Sequence, residues 1–186
     1  MEKDIIKFIY ELGMLTRIKH EGWKLIGVDN PDSVAEHSLR AAQIGFILAK
    51  MENYENPQEV CSIIVFHDMA ECRVNDVHKV ANRYITKDEA RAAKEQTEKL
   101  GEIGEEIFNL WSQAEFKNTQ AGIIAKDADL LETAVRAREY KGIGYEYAQD
   151  WINNVSTALK TESAKKLLGL LNEVNPNEWW QGLKKL

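Results

Sequence analysis

Apolar residues recur at steps of three and four along most of this chain, which is the spacing of one face of an α-helix. Alternation of apolar and polar residues with a period of two, which is typical of strands, is hard to find in any window. Only three prolines and 11 glycines interrupt a composition rich in residues that favour helices. The sequence therefore predicts an all-α fold.

Local signals predict where several helices begin and end. Ser33 and Glu36 have the spacing of a capping box, so a helix is expected from there to about Met51. Asn56-Pro57 opens the next helix, which is expected to end near Cys72 or Arg73. Further helices are expected at about 4–19, at 118–141, and in pieces of 144–186. Another is expected from a second capping box at 86–89 to about 111, and Gly101 and Gly104 are positions where it can bend or break.

An apolar run in the second of these helices ends in an adjacent His67-Asp68 pair, with Glu71 four residues after the histidine. On a helix, His67 and Glu71 share a face and Asp68 points about 100° away. Buried charged side chains need a partner, and a divalent metal ion is the simplest one. For the pair alone, a capped and hydrogen-bonded surface feature is the alternative.

His37 and Asp129 occupy similar helical settings. In isolation, His37 fits a structural histidine as well as a metal ligand. Asp127 and Asp129 point about 200° apart on a helix, so only one of them can face a shared cavity. Glu132 is expected to point outward.

Composition limits the partners and the location of the chain. Its 186 residues are expected to form a single domain spanning 1–186. The net charge of −6 argues against a nucleic-acid partner. No apolar run approaches the roughly 20 residues of a membrane span, and no signal peptide is evident. Two cysteines do not make a disulfide framework, so a cytoplasmic location is expected.

His37, the His67-Asp68 pair and Asp129 together form an H…HD…D arrangement that resembles the HD-domain metal-dependent phosphohydrolases. Gly22-Trp23, the segments 31–38 and 67–71, and Asn75-Asp76 resemble more closely the 5′-deoxynucleotidase branch of that family. The resemblance covers roughly residues 1–140 and is strongest over 22–76. It implies an HD-domain helical bundle, a homodimer, and hydrolysis of deoxyribonucleoside 5′-monophosphates to deoxynucleoside and phosphate.

The resemblance implies a role for each matching residue. The ligands of one divalent ion, such as cobalt or manganese with magnesium and zinc left open, would be His37, His67, Asp68 and Asp129. Glu71 would orient and deprotonate the attacking water, and Asp76 would assist proton delivery to the leaving 5′ oxygen. Trp23 would lie against the sugar and disfavour a 2′-hydroxyl, although anchoring its loop to the core is a compatible alternative.

One position departs from the family pattern. Some members place an arginine directly before the tryptophan to hold phosphate, and here that position is Gly22. Lys19, His20 or Lys24 could take its place, and Lys79 is a weaker candidate for substrate contact.

The donor set supports catalysis independently of the family. Two imidazoles and two carboxylates suit a five- or six-coordinate first-row metal, with positions left for water and phosphate. The cysteines are not spaced for structural zinc. Two alternatives stay open: an HD phosphohydrolase acting on a triphosphate, cyclic dinucleotide or phosphonate, and a non-catalytic nucleotide-binding protein with a structural metal.

Overall fold

A computed structural model describes residues 1–184 of the protein. Over that range the chain is helical, and the β-type contact between Lys19 and Ser33 is an isolated bridge. The helices are α1 (Glu2–Leu12), α2 (Val34–Met51), α3 (Pro57–Phe66), α4 (Glu71–Val74), α5 (Glu89–Thr97), α6 (Glu102–Phe116), α7 (Gln120–Gly142), α8 (Gln149–Ala158) and α9 (Glu162–Leu170). The all-α prediction is confirmed. Within 1–184, no helix combines the length and the apolar character that crossing a membrane would require.

Helix α2 begins where the sequence predicts. The Glu36 N–H donates to Ser33 Oγ at 3.3 Å, and the Glu36 carboxylate accepts from the Ser33 N–H at 2.7 Å. This capping box fixes the first turn of α2, so the position of His37, the next residue, is set by the backbone. Asn56 caps α3, with Pro57 at its first position.

Helices α2, α3 and α7 pack around one aliphatic core. Gly45 allows the close approach, because a Cβ there would lie 2.3 Å from Ile64 Cδ1. Core residues from these helices are Ala41, Leu48, Ala49, Val60, Ile63, Ile64, Ile124, Ala125, Ala128 and Leu131. The packing brings together the start of α2, the end of α3 and the middle of α7.

Helix α3 ends at Phe66, so the predicted continuation to Cys72 or Arg73 is wrong. Residues 67–70 form turns, and α4 follows as a separate short helix. The physical reason lies in His67, whose Nδ1 is 2.6 Å from the Ile64 carbonyl oxygen. In a continuous helix that carbonyl would accept from the Asp68 N–H. His67 and Glu71 therefore do not share the face of a regular helix.

Two other boundaries differ from the prediction. The first helix stops at Leu12, and a 3₁₀ segment, Gly13–Thr16, follows it. The helix expected from residue 86 breaks at Gly101, one of the two glycines named for such a break, and so forms α5 and α6; the φ of +63° at this position favours glycine. The cap of α5 is Asp88, which accepts from the Arg91 N–H at 3.0 Å, so the capping box expected at Thr86 does not form.

Candidate functional site

Three separated segments bring two imidazoles and two carboxylates to one place. His37 Nε2 lies 3.0 Å from Asp129 Oδ1, and His67 Nε2 lies 3.8 Å from the same oxygen. Asp68 Oδ2 is 3.0 Å from His67 Nε2. The ligand atoms of His37, His67 and Asp129 all lie within 4.8 Å of one another. The four residues that the sequence singles out as metal ligands therefore converge.

The outer nitrogen of each imidazole is fixed by an acceptor. His37 Nδ1 is 2.6 Å from Glu132 Oε2, and His67 Nδ1 is 2.6 Å from the Ile64 carbonyl. A carboxylate and a carbonyl only accept, so both Nδ1 atoms carry a proton and donate it. Both Nε2 atoms therefore face the site, which is the arrangement typical of histidines that bind a metal.

Electrostatics concentrate positive charge between these acids. Burial alone would lower the pKa of His67, but Asp68 and Asp129 outweigh burial and raise it to about 10. The pKa of His37 is likewise raised well above its usual value, against burial, by Asp129 and Glu132. Burial would raise the pKa of Asp129, yet Lys126 and the two imidazoles hold it well below its usual range. The carboxylates around His37 and His67 therefore favour a positive charge at this place.

The residues present fit a divalent cation. His67 Nε2 is buried and makes no hydrogen bond within residues 1–184, although Asp68 lies close to it. The Oε2 atom of Glu71 is also buried without a partner in that range. Two imidazole nitrogens with two carboxylate oxygens are a donor set for first-row divalent metals.

Glu71 and Asp76 border the same site. Burial, followed by the negative charges of Asp68 and Asp76, raises the pKa of Glu71 to about 9. Asp76 Oδ2 accepts from the Glu21 backbone N–H at 2.8 Å, which ties the segment after α4 to the 3₁₀ segment Glu21–Ile26. The other oxygen of Asp76 makes no hydrogen bond within residues 1–184, and the side chain lines the cavity described next.

A cavity of about 570 Å³ opens in front of these side chains. His20, Trp23 and Lys79, three of the residues expected to contact substrate, line it. Trp23 is 2% exposed and stacks on Trp151 with ring centroids 5.1 Å apart, so it anchors its loop and forms the cavity wall at once.

Lys24 does not line this cavity. Its Nζ pairs with Glu21 at 2.7 Å, and it borders a neighbouring cavity instead. The 3₁₀ conformation of Glu21–Ile26 turns Lys24 away from Trp23, which was not evident from their adjacency in the sequence.

Comparison with known families decides the classification. The family model described as HD domain matches residues 12–171. The chain belongs to the HD-domain family. In this HD domain, the convergence of His37, His67-Asp68 and Asp129 is the spatial form of the H…HD…D pattern in the sequence.

Similar proteins cover most of the HD domain. A 5′-deoxynucleotidase of Dictyostelium discoideum is 32% identical over 73% of this chain and 77% of its own length. A human 5′-deoxynucleotidase is 28% identical over 76% and 70% of the two chains. The solved structure of a conserved hypothetical protein from Pyrococcus furiosus is 26% identical, with a TM-score of 0.76 over 91% of this chain and 99% of that one.

The HD domain contains one site residue that the sequence analysis misplaced. Glu132 was expected to point outward, but it is fully buried against His37 and Arg40. Its position three residues after Asp129 was the available signal, because residues three apart on a helix are neighbours. Asp127, on another side of α7, accepts from the Thr161 N–H at 2.6 Å and so caps the region where α9 begins.

Two lysines at the cavity were not singled out by the sequence. Lys126 Nζ lies 2.6 Å from Asp129 Oδ2, one turn before it on α7. Lys87 Nζ pairs with Glu89 at 2.7 Å and also lines the cavity. Neither belongs to the H…HD…D pattern that the sequence shows.

Proposed function

We propose that this HD domain hydrolyses deoxyribonucleoside 5′-monophosphates to deoxynucleoside and inorganic phosphate. The observation that carries the proposal is the convergence of His37, His67, Asp68 and Asp129 beside Glu71 in one cavity. The substrate class rests on the relatives from Dictyostelium discoideum and human, both named 5′-deoxynucleotidase.

Four residues would hold the metal ion. They are His37, His67, Asp68 and Asp129. A divalent ion at such a site would lower the pKa of bound water and neutralise the charge of phosphoryl oxygens. The remaining roles fall to the protein side chains.

Glu71 is the general base of the proposed reaction. Its buried Oε2 has no hydrogen-bond partner within residues 1–184, so that oxygen is free to accept a proton from the attacking water. A divalent ion held by Asp68 would favour the ionised form of Glu71, because a nearby positive charge lowers the pKa of a carboxyl group. A base in this position is typically worth 10²–10⁴-fold in rate.

Asp76 serves the leaving group. One of its oxygens is fixed by the Glu21 N–H, so the other has a defined orientation in the cavity. The proton that Glu71 takes from the attacking water is passed on, with the help of Asp76, to the 5′ oxygen as the bond between that oxygen and phosphorus breaks. The alcohol leaves as a neutral deoxynucleoside, and Glu71 is ready to accept a proton again.

Trp23 is proposed to contact the sugar. Its indole is held between Tyr140 and Trp151, with ring centroids 5.1 Å from each. A rigid aromatic wall of this kind leaves little room for an additional hydroxyl group. We therefore infer a preference for deoxyribose over ribose.

Finer properties complete the proposal. The ion is proposed to be a single cobalt, manganese or related first-row ion, on the basis of the mixed nitrogen and oxygen donors. On the resemblance to the family, the chain is proposed to act as a homodimer. A cytoplasmic location is proposed because its two cysteines do not make a disulfide framework. Residues 1–186 are proposed to form one domain, which the shared core of α2, α3, α7, α8 and α9 supports.

The proposal is tested by phosphate release from a nucleotide panel. The panel contains deoxyribo- and ribonucleoside 5′-monophosphates, a 3′-monophosphate, a triphosphate and a cyclic dinucleotide, each with manganese or cobalt. We expect the 5′-deoxynucleotides to be preferred and EDTA to abolish release. Glu71→Ala should lower turnover by at least about 100-fold, because it removes the base, while metal content stays near that of the wild type.

Two results would contradict the proposal. Full activity in EDTA would exclude the metal-dependent mechanism, and full activity of Glu71→Ala would exclude its base. Preferential release from the triphosphate or the cyclic dinucleotide would instead assign another substrate to the same site.

A further inference from the structure

The reaction cavity carries more negative than positive charge for a phosphate ligand. Five carboxylates line it, those of Asp68, Glu71, Asp76, Asp129 and Asp150, against three lysines, Lys79, Lys87 and Lys126. A divalent ion balances two of these carboxylates, and a phosphate monoester itself carries about −1.5 to −2 at neutral pH. Binding of the substrate is therefore favoured by a lysine that lies close to the metal ligands.

Lys126 is placed to supply this charge. Its Nζ lies 2.6 Å from Asp129 Oδ2, whereas both imidazole Nε2 atoms face Asp129 Oδ1. The two oxygens of Asp129 thus have separate partners. The Lys126 side chain lines the cavity and is 37% exposed.

The ammonium group of Lys126 keeps unused donors. A lysine ammonium has three N–H groups. Within residues 1–184, the hydrogen bond to Asp129 Oδ2 is the contact that Lys126 Nζ makes. The remaining N–H groups are available to a ligand that lies beside Asp129.

Other cations near the cavity are less suitable. Lys87 Nζ is paired with Glu89 at 2.7 Å and donates to the Asn75 carbonyl oxygen at 3.3 Å. Lys24 lies in the neighbouring cavity. Lys79 lines the reaction cavity but is exposed and does not touch a metal-ligand candidate.

We propose that Lys126 binds a phosphoryl oxygen of the substrate while its contact with Asp129 is kept. The inference rests on the proposed function in one respect, that the ligand is a phosphate monoester. It gives Lys126 a direct role in substrate binding, which the motif of the family does not include. Inorganic phosphate, the product of the reaction, should occupy the same contact.

The test measures phosphate binding separately from metal binding. Wild type, Lys126→Met and Lys126→Arg are loaded with Mn²⁺ and titrated with inorganic phosphate by calorimetry. We expect Lys126→Met to raise the Kd for phosphate about tenfold, since a charge-assisted hydrogen bond is lost in a partly exposed position. Lys126→Arg should recover most of the affinity. Mn²⁺ affinity is measured separately for each variant, and phosphate is titrated at Mn²⁺ concentrations that saturate all three proteins, because loss of the partner of Asp129 itself weakens metal binding.

Lys141→Met is the matched control. Lys141 lies on the same helix, outside the cavity, where its Nζ donates to Gln149 at 2.6 Å. Its phosphate affinity should equal that of the wild type, which separates a local contact from a general loss of positive charge on α7.

Two results would overturn the inference. Unchanged phosphate affinity in Lys126→Met would remove the contact. A loss of phosphate affinity that disappears when Mn²⁺ is saturating would assign Lys126 to the orientation of Asp129 alone. Because the readout is phosphate binding, it stays informative if no nucleotide is hydrolysed: weakened phosphate binding would then support the contact while the proposed function failed.

Discussion

Glu132→Gln is the substitution that tests most directly how the candidate metal centre is held. Glu132 Oε2 accepts from His37 Nδ1 at 2.6 Å, and Oε1 accepts from Arg40 Nε at 2.8 Å. Glutamine has nearly the same shape but offers one oxygen and one NH₂ group. Two donors face a side chain that can then accept on one side only.

Either orientation of the amide disturbs the site. With its NH₂ group towards Arg40, two donors meet in a buried position. With its NH₂ group towards His37, Nδ1 must give up its proton, which moves to Nε2, the nitrogen that would bind the metal. The second orientation therefore blocks one of the four ligands.

The expected loss in metal affinity is substantial. Removing the outer hydrogen-bond partner of a ligand histidine typically costs 10–100-fold in metal affinity, which corresponds to about 1.4–2.7 kcal/mol. The unsatisfied buried donor should lower the free energy of unfolding by a further quantity of about 1–3 kcal/mol. Both side chains of the His37–Glu132 pair are 1% exposed, so water cannot replace the lost contact.

Calorimetric titration with Mn²⁺ measures the first quantity, and urea unfolding of the metal-free protein measures the second. Glu139→Gln is the control, because Glu139 binds the same Arg40 at 2.7 Å but is 37% exposed and does not contact His37. Its Mn²⁺ affinity should stay within about threefold of the wild type. If Glu132→Gln loses stability yet binds Mn²⁺ as well as the control does, Glu132 serves the fold and not the metal centre.

Two further predictions concern stability. The pKa of His67 is about 10 in the folded metal-free protein against 6.5 for the free side chain, so its contribution to stability is complete below about pH 6.5 and is lost as the pH rises to 10. The pKa of Glu71 is raised to about 9, so the folded protein also loses stability as the pH rises from 4.5 to 9. Urea unfolding of the metal-free protein should therefore show lower stability at pH 9 than at pH 6, and a flat profile would refute the assignment. Gly45→Ala should lower the free energy of unfolding by about 1 kcal/mol, because overlap of its Cβ with the buried Ile64 Cδ1 at 2.3 Å outweighs the better helix propensity of alanine. An unchanged urea midpoint would show that the Ile64 side chain rotates away without loss of packing.

The sequence predicted the helical fold and the ligand candidates because their signals are local. The capping box at Ser33 fixes the start of α2, and His67-Asp68 are adjacent in the chain. The end of α3 could not be predicted this way. It depends on the His67 imidazole binding the Ile64 carbonyl, a contact that helical periodicity does not encode.

Glu132 was misplaced for a different reason. Its orientation was judged from Asp127, five residues away, although Asp127 caps a distant segment. Measured from Asp129, Glu132 lies on the same side of α7. Once Asp129 is taken as the aspartate that faces the site, Glu132 is predicted to face it as well.

A polar stripe runs along α7 at steps of three and four residues, and its members are Lys126, Asp129, Glu132, Arg136 and Glu139. Such a stripe usually faces solvent, since charged residues are rarely buried unless they are paired. Here Glu132 and Glu139 bind Arg40 of α2, and Glu132 also binds His37, which is three residues before Arg40. Opposite charges at matching helical steps on two helices therefore distinguish an inward polar face from a solvated one. Because both helices also share an aliphatic core, the imidazole of His37 is positioned by rigid packing before any metal binds.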